Sequence, residues 1–140
     1  MPRHPGQSPV PDPVAIRATL DRIVASRPFN TSPMLTRFLR FVVESTLAGR
    51  GERLKGYTIG VEALGRNASF NPQIDPIVRV EAIRLRTALA RYYSGAGADD
   101  PVVIEMPRGH YRVHFRWSRR SAPWTMWRLA RNALQRLLAA

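Results

Sequence analysis

The fold turns on residues 75–115, DPIVRVEAIRLRTALARYYSGAGADDPVVIEMPRGHYRVHF, which read as one arginine-bearing helix, a Gly-rich loop and a two-stranded hairpin. Asp75 has the side chain of an N-cap. Pro76 suits the first helical position, where its missing N–H would have lacked a partner anyway. Val78, Ala82, Leu85, Leu89 and Tyr92 follow at spacings of four, three, four and three, so they share the buried face of a helix. The opposite surface carries Arg79, Val80, Ile83, Arg84, Arg86, Thr87 and Arg91, a strip that is basic and partly apolar. Ser94-Gly95-Ala96-Gly97 cannot propagate the helix. Pro101–Glu105 and Tyr111–Trp117 alternate as strands do, joined by a tight tip, Met106-Pro107-Arg108-Gly109-His110. In the second strand Tyr111, Val113, Phe115 and Trp117 point one way while Arg112, His114 and Arg116 point the other. One face can therefore pack on the helices while the other stays cationic.

Upstream, three helical stretches supply a core for this unit. Asp12 and Pro13 open the first, over 14–27, whose Ile16, Leu20, Ile23 and Val24 recur at helical spacing. Ser32-Pro33 opens the second, where Leu35, Phe38, Leu39, Val42, Val43 and Leu47 form a wide apolar stripe and Gly49 is the stop. Tyr57–Leu64 reads as a short third helix broken by Gly65, and Asn71-Pro72 marks a turn in the loop that follows. Downstream, Ser118–Ala122 is a basic linker. Pro123 opens an amphipathic helix with Trp127, Ala130, Leu134, Leu137 and Leu138 on one face. Residues 1–13, with five prolines, read as a disordered arm without the apolar centre of a signal peptide. The expected organisation is an arm at 1–13, one domain at 14–117, and a linker plus amphipathic helix at 118–140. Its class is α+β and mostly helical.

Composition narrows the partners. With 22 Lys+Arg against 10 Asp+Glu the formal charge is +12, and Lys55 is the only lysine. The cations are thus nearly all guanidinium forks, matched to phosphates, carboxylates and base edges. Such a balance favours a polyanion, either nucleic acid or an anionic membrane surface, although a GC-rich genome also inflates arginine. The absence of cysteine excludes disulfides, thiolate metal sites and a thiol nucleophile. No apolar run is long enough to span a bilayer. Catalytic groups are sparse. His4 lies in the arm, and His110 and His114, if both lay in one strand, would share a side about 13 Å apart, too far for a shared metal. The acids read as caps or helix-face partners, and Gly95-Ala96-Gly97 is too short for a phosphate loop. The expectation is a binding protein without metal or cofactor, not an enzyme.

The block from Pro33 to Phe115 resembles the winged helix-turn-helix of response-regulator effector domains, the OmpR/PhoB type. The resemblance rests on a helix of form V-x-V-x-x-x-R-L-R-x-x-L (Val78, Val80, Arg84, Leu85, Arg86, Leu89) and a hairpin with Arg108, Gly109, Tyr111 and Arg112. It covers roughly half the chain. The longer match FLRFVVESTLAGRGERLKGYTIGVEALGR with FNPQIDPIVRVEAIRLRTALARYY looks like the winged-helix-like module at the N-terminus of many bacterial signalling proteins. In that group the module precedes a membrane segment and then cyclase or tetratricopeptide domains. The resemblance implies a β-hairpin wing at 101–117, a positioning helix at 57–64 and a recognition helix at 76–92. To these the chain adds an extra N-terminal helix and the C-terminal amphipathic helix, which takes the place of the membrane segment.

The function expected on these grounds is that of a cytoplasmic bacterial transcription regulator binding double-stranded DNA, with the recognition helix in the major groove and the wing on the adjacent backbone or minor groove. The DNA-contacting set is Arg79, Ile83, Arg84, Arg86, Thr87, Arg91, Arg108 and Arg112. Arg84 is the first candidate for base reading, Arg86 for the backbone, and Arg108 for the wing contact. The alternative is a signalling module of the same fold that meets a protein partner through Val80 and Ile83. In that case Trp124–Leu138 would contact a protein or lie on the inner membrane face, with Trp124 and Trp127 at the interface and Arg128, Arg131 and Arg136 above it. The same stretch could instead pack on the domain or form a homodimer seam.

Overall fold

The computed structural model describes residues 10–119 and 134–139. Two helices begin the same way, with a capping side chain followed by proline. Asp12 Oδ1 accepts from the Ala15 N–H at 2.8 Å and Ser32 Oγ from the Leu35 N–H at 3.3 Å, each satisfying a donor that the first turn leaves open. They start α1, Pro13–Ala25, and α2, Pro33–Leu47. The expected apolar stripes are buried: Ile16, Leu20 and Ile23 on α1, and Leu35, Phe38, Leu39, Val42 and Val43 on α2, with Val24 and Leu47 partly covered. The five side chains of α2 alone contribute on the order of 10 kcal/mol of transfer free energy. Gly49, at φ +77°, follows the end of α2 as the stop.

The third helix departs from regularity. α3 begins as an α-turn at Gly56–Thr58 and widens into a π-turn at Ile59–Ala63. The Leu64 N–H reaches back to the Ile59 carbonyl at 3.0 Å, and Arg66 to Gly60 at 2.9 Å. Gly60 lies within this turn. A Cβ there would stand 2.3 Å from a ring carbon of Phe70, so the buried Phe70 ring occupies the space of the missing side chain. Asn67 and Asn71 then turn the connecting loop by accepting the backbone N–H groups of Ser69 and Gln73.

α4 spans Ile77–Ser94, one residue later in its start than Pro76 and two beyond Tyr92. Pro76 is the cap residue, and Asp75 Oδ1 accepts the Ile77 N–H at 3.1 Å. Val78, Ala82, Leu85, Leu89 and Tyr92 are all buried, and so are Ala88 and Glu81. Val80 and Ile83 stand exposed, as the helical spacing required.

The sheet is smaller than the sequence pattern predicted. β1, Val102–Glu105, pairs antiparallel with β2, His114–Trp117, in the register Val102↔Trp117 to Glu105↔His114. Residues 106–113 connect them, so Tyr111–Val113 do not belong to the strand and the tip is not the tight five-residue turn. Two sets of hydrogen bonds divert this segment from the ladder. Arg86 takes the carbonyls of Met106, Pro107 and His110, while the Val113 N–H turns to Thr46 Oγ1 on α2. Val113 is buried, Phe115 and Trp117 pack partly covered on the core, and His114 and Arg116 face out, which is the expected sidedness. β1 does not alternate: Val102, Val103 and Ile104 are all buried. Its second edge is closed by Tyr93 of α4, whose hydroxyl donates to the Val102 carbonyl and accepts the Ile104 N–H. The result is a mostly helical α+β arrangement in which α1, α2 and α4 enclose one core and a two-stranded sheet closes it.

Pro11 is already buried and Asp12 already caps, so the N-terminal arm gives way to the domain before residue 13. The expected amphipathic helix at 123–140 lies outside the described residues except for 134–139, which are helical with Leu134, Leu137 and Leu138 exposed. Trp124, Trp127, Arg128 and Arg131 fall outside them, as does His4. No helix among the described residues is long and apolar enough to cross a membrane.

Candidate nucleic-acid interface

Five of the ten acids neutralise arginines away from the outer face of α4. Arg17 pairs with Glu44, Arg22 with Asp100, Arg40 with Asp21, Arg66 with Asp75 and Arg116 with Glu105. The outer face of α4 is treated differently. Arg79, Thr87 and Arg91 are exposed there beside Ile83, which is 64% exposed. Neither Arg79 nor Arg91 has an acidic partner among the described residues. These side chains fall on one flank because α4 buries the other, so their alignment follows directly from the helical period.

Of the remaining candidates, Arg84 and Arg86 are held by neighbours. Arg84 Nη1 donates to Glu81 Oε1 at 2.8 Å. Arg86 does not point into solvent: Nε donates to the Met106 carbonyl at 3.0 Å, and Nη2 to the carbonyls of Pro107 and His110, both at 3.2 Å. That guanidinium locks the hairpin loop against α4, a role that helical spacing alone did not reveal. Arg112 lies 3.7 Å from Glu52, a carboxylate that is itself 90% exposed, so this pair is loose and solvent-screened. Arg108 is exposed and without an acidic partner among the described residues, next to Gly109, whose φ of +100° turns the loop.

His110 and His114 correct an expectation. Their ring centroids are 5.5 Å apart, because residues 110–113 fold back as loop and do not extend as strand. Partial burial holds the His110 imidazole below its ordinary range, and the positive Arg112 and neighbouring His114 act in the same direction. Its Nδ1 is buried without a partner. No group of three or more His, Cys, Asp or Glu that could hold a metal occurs among the described residues.

Two features escaped the sequence. Arg27, from the turn after α1, lines a shallow hollow together with Arg91 of α4. No local motif could have signalled this, since the two residues meet only in the fold. A groove of about 590 Å³ also runs between the C-terminal half of α4 and β1, floored by Leu89, Ala90 and Val103 and edged by Arg86 and Arg108. Arg86, Arg108 and Arg116 line this groove together with Glu105.

Comparison with family models, with curated proteins and with solved structures finds no match to this chain.

Proposed function

We propose that this chain binds double-stranded DNA as a winged helix-turn-helix and regulates bacterial transcription. α3 acts as the positioning helix, α4 as the recognition helix in the major groove, and the loop between β1 and β2 as the wing on adjacent backbone or minor groove. One observation carries this reading: Arg86 of α4 clamps the loop that bears Arg108, so unpaired guanidinium groups on helix and loop are held in one fixed frame. A duplex presents its phosphates in such a frame, and the counterions released on neutralising them drive binding. Arg79, Arg91, Arg108 and Arg27 take phosphates. Thr87 and Ile83 reach base edges, Ile83 through thymine methyl groups. The order of helices and the hairpin support the same reading, as does the likeness to response-regulator effector domains.

Fluorescence anisotropy on random duplex DNA across a salt series tests it. Micromolar or tighter binding at low salt is expected, with log affinity falling against log salt at a slope of about −5 if about six phosphates are contacted. Arg79→Ala with Arg108→Ala should flatten that slope by nearly 2, while Arg40→Ala, on the α1–α2 surface, should leave it within error. Lack of binding at low salt despite the +12 charge would sink the proposal.

Val80, 48% exposed, and Ile83 favour a second reading, a protein-interaction module of the same fold. Salt separates the two, because an apolar protein contact hardly responds to ionic strength.

A further inference from the structure

Glu81 is the one acid on α4, and with Asp100 it is one of two buried carboxylates among the described residues. Only 6% of it is exposed, although it lies on the helix with the most open cationic face. Its Oε1 accepts from Arg84 Nη1 at 2.8 Å, and its Oε2 is buried with no hydrogen-bond partner among the described residues. Arg84 itself is 54% exposed along its side chain, so the pair has one fixed end and one end in solvent. A surface pair three residues apart on a helix contributes little to stability, because both side chains must be ordered. Here the carboxylate is already immobilised by its burial. What the bond does is restrict Arg84.

We infer that Glu81 is the positioning residue that turns Arg84 into a guanine reader. An arginine has five donors in a planar fork, and with Nη1 anchored inward the opposite edge remains free. Two parallel N–H groups on that edge match O6 and N7 of guanine in the major groove. Ordering the side chain before DNA arrives removes rotamer freedom that an unanchored arginine would lose on docking. Arg79 and Arg91, on the same face, have no such anchor and remain free to follow phosphates. The carboxylate also lowers the positive field of α4. It therefore weakens attraction to any duplex while favouring the one sequence that satisfies the held fork.

The inference rests on the DNA-binding reading, and its test separates the two. The full chain is used to select duplexes from a randomised pool. The best site is then compared with its single-base replacements by competition anisotropy, for the native chain, Glu81→Gln, Arg84→Ala and Arg84→Lys. In the native chain, replacing one particular G·C pair should weaken binding by about tenfold or more. Arg84→Ala should abolish the preference at that pair and no other, and Arg84→Lys should not restore it, since an ammonium lacks the fork. Glu81→Gln should reduce discrimination there several-fold while tightening binding to random duplex, because a negative charge is gone. A purely structural role for Glu81 predicts the reverse pattern: random and selected duplexes weaken together, with base preference intact. That outcome overturns the inference, as does unchanged preference in Glu81→Gln. Should Glu81→Gln fail to fold by circular dichroism, Glu81→Asp, which keeps the charge but withdraws it from Arg84, should reduce discrimination at that pair without tightening binding to random duplex, and an intact preference overturns the inference. Failure of the native chain to bind any duplex overturns the DNA-binding reading itself, and this inference with it.

Discussion

Arginines of identical chemistry do different work here, and neighbours decide which. Arg86 is half-buried and makes three bonds to loop carbonyls; Arg79, two turns earlier, makes none. Hydrogen bonds to a charged donor contribute about 1.5–3 kcal/mol net, and a carbonyl left buried without one costs a similar amount. Arg86→Ala should therefore destabilise the domain by about 2 kcal/mol or more in chemical denaturation, with Arg86→Lys restoring little, because one ammonium does not reproduce the planar fork. An effect under about 0.5 kcal/mol would mean that the loop holds without this clamp. All of these arginines were legible as candidates from their spacing on α4. The division between clamp, anchored reader and free cation was not, because it depends on Met106, Pro107 and His110 carbonyls and on Glu81. Arg86 and its carbonyl partners lie about twenty residues apart in sequence.

At the scale of elements, a sheet of two short strands survives because a helix finishes it. An isolated hairpin is marginal in water, and β1 has a free edge whose donors and acceptors need partners. Tyr93 supplies both with one hydroxyl, donating to the Val102 carbonyl at 3.0 Å and accepting the Ile104 N–H at 2.8 Å. Tyr93→Phe keeps the ring but leaves two part-buried backbone groups unpaired, so a loss of about 1–3 kcal/mol is expected. Faster hydrogen exchange should localise to the Ile104 amide and the β1–β2 ladder. Protection at Ile104 unchanged from the native chain would contradict this account. The sequence pattern indicated both strands but overextended the second, since residues 111–113 alternate as well as residues 114–117 do. Periodicity registers sidedness, which the loop keeps, and not the ladder, which it lacks. In α3 the Phe70 ring takes the space that a side chain at Gly60 would fill, a contact from another element that the local pattern does not record.

Across the domain, a polar network ties α1 to α4. Arg22 of α1 bonds Thr19 at 3.0 Å and Asp100 at 2.5 Å, and the Tyr92 hydroxyl of α4 donates to the same carboxylate. Burial and then the bond to Asp100 push the Tyr92 phenol up to about 12 from 10.0, and burial raises Tyr93 in the same direction. A folded-state value above the unfolded one means that the unfolded chain loses its proton first. The stabilisation is full below pH 10 and is lost as pH rises from 10 toward 12. Alkaline titration followed by near-ultraviolet circular dichroism should show cooperative unfolding in that window. Tyr92→Phe should lower stability at neutral pH and flatten the pH dependence between 10 and 12; an equally steep fall in the variant would remove Tyr92 from this role.

The sequence by itself determined α1, α2 and α4, the caps of the first two and the buried faces of all three. Those depend on residues within a turn or two of each other, and helical period with proline and Asp or Ser caps encodes them locally. It also determined the excess of guanidinium groups and the exposed strip on α4, since burying one face of a helix leaves the other in solvent. Only the tertiary structure decided the length of the hairpin loop, the meeting of Arg27 with Arg91, the approach of His110 to His114 and the burial of Glu81 beside Arg84. In each of these the outcome depends on what another element brings into contact, and no local pattern records the neighbour.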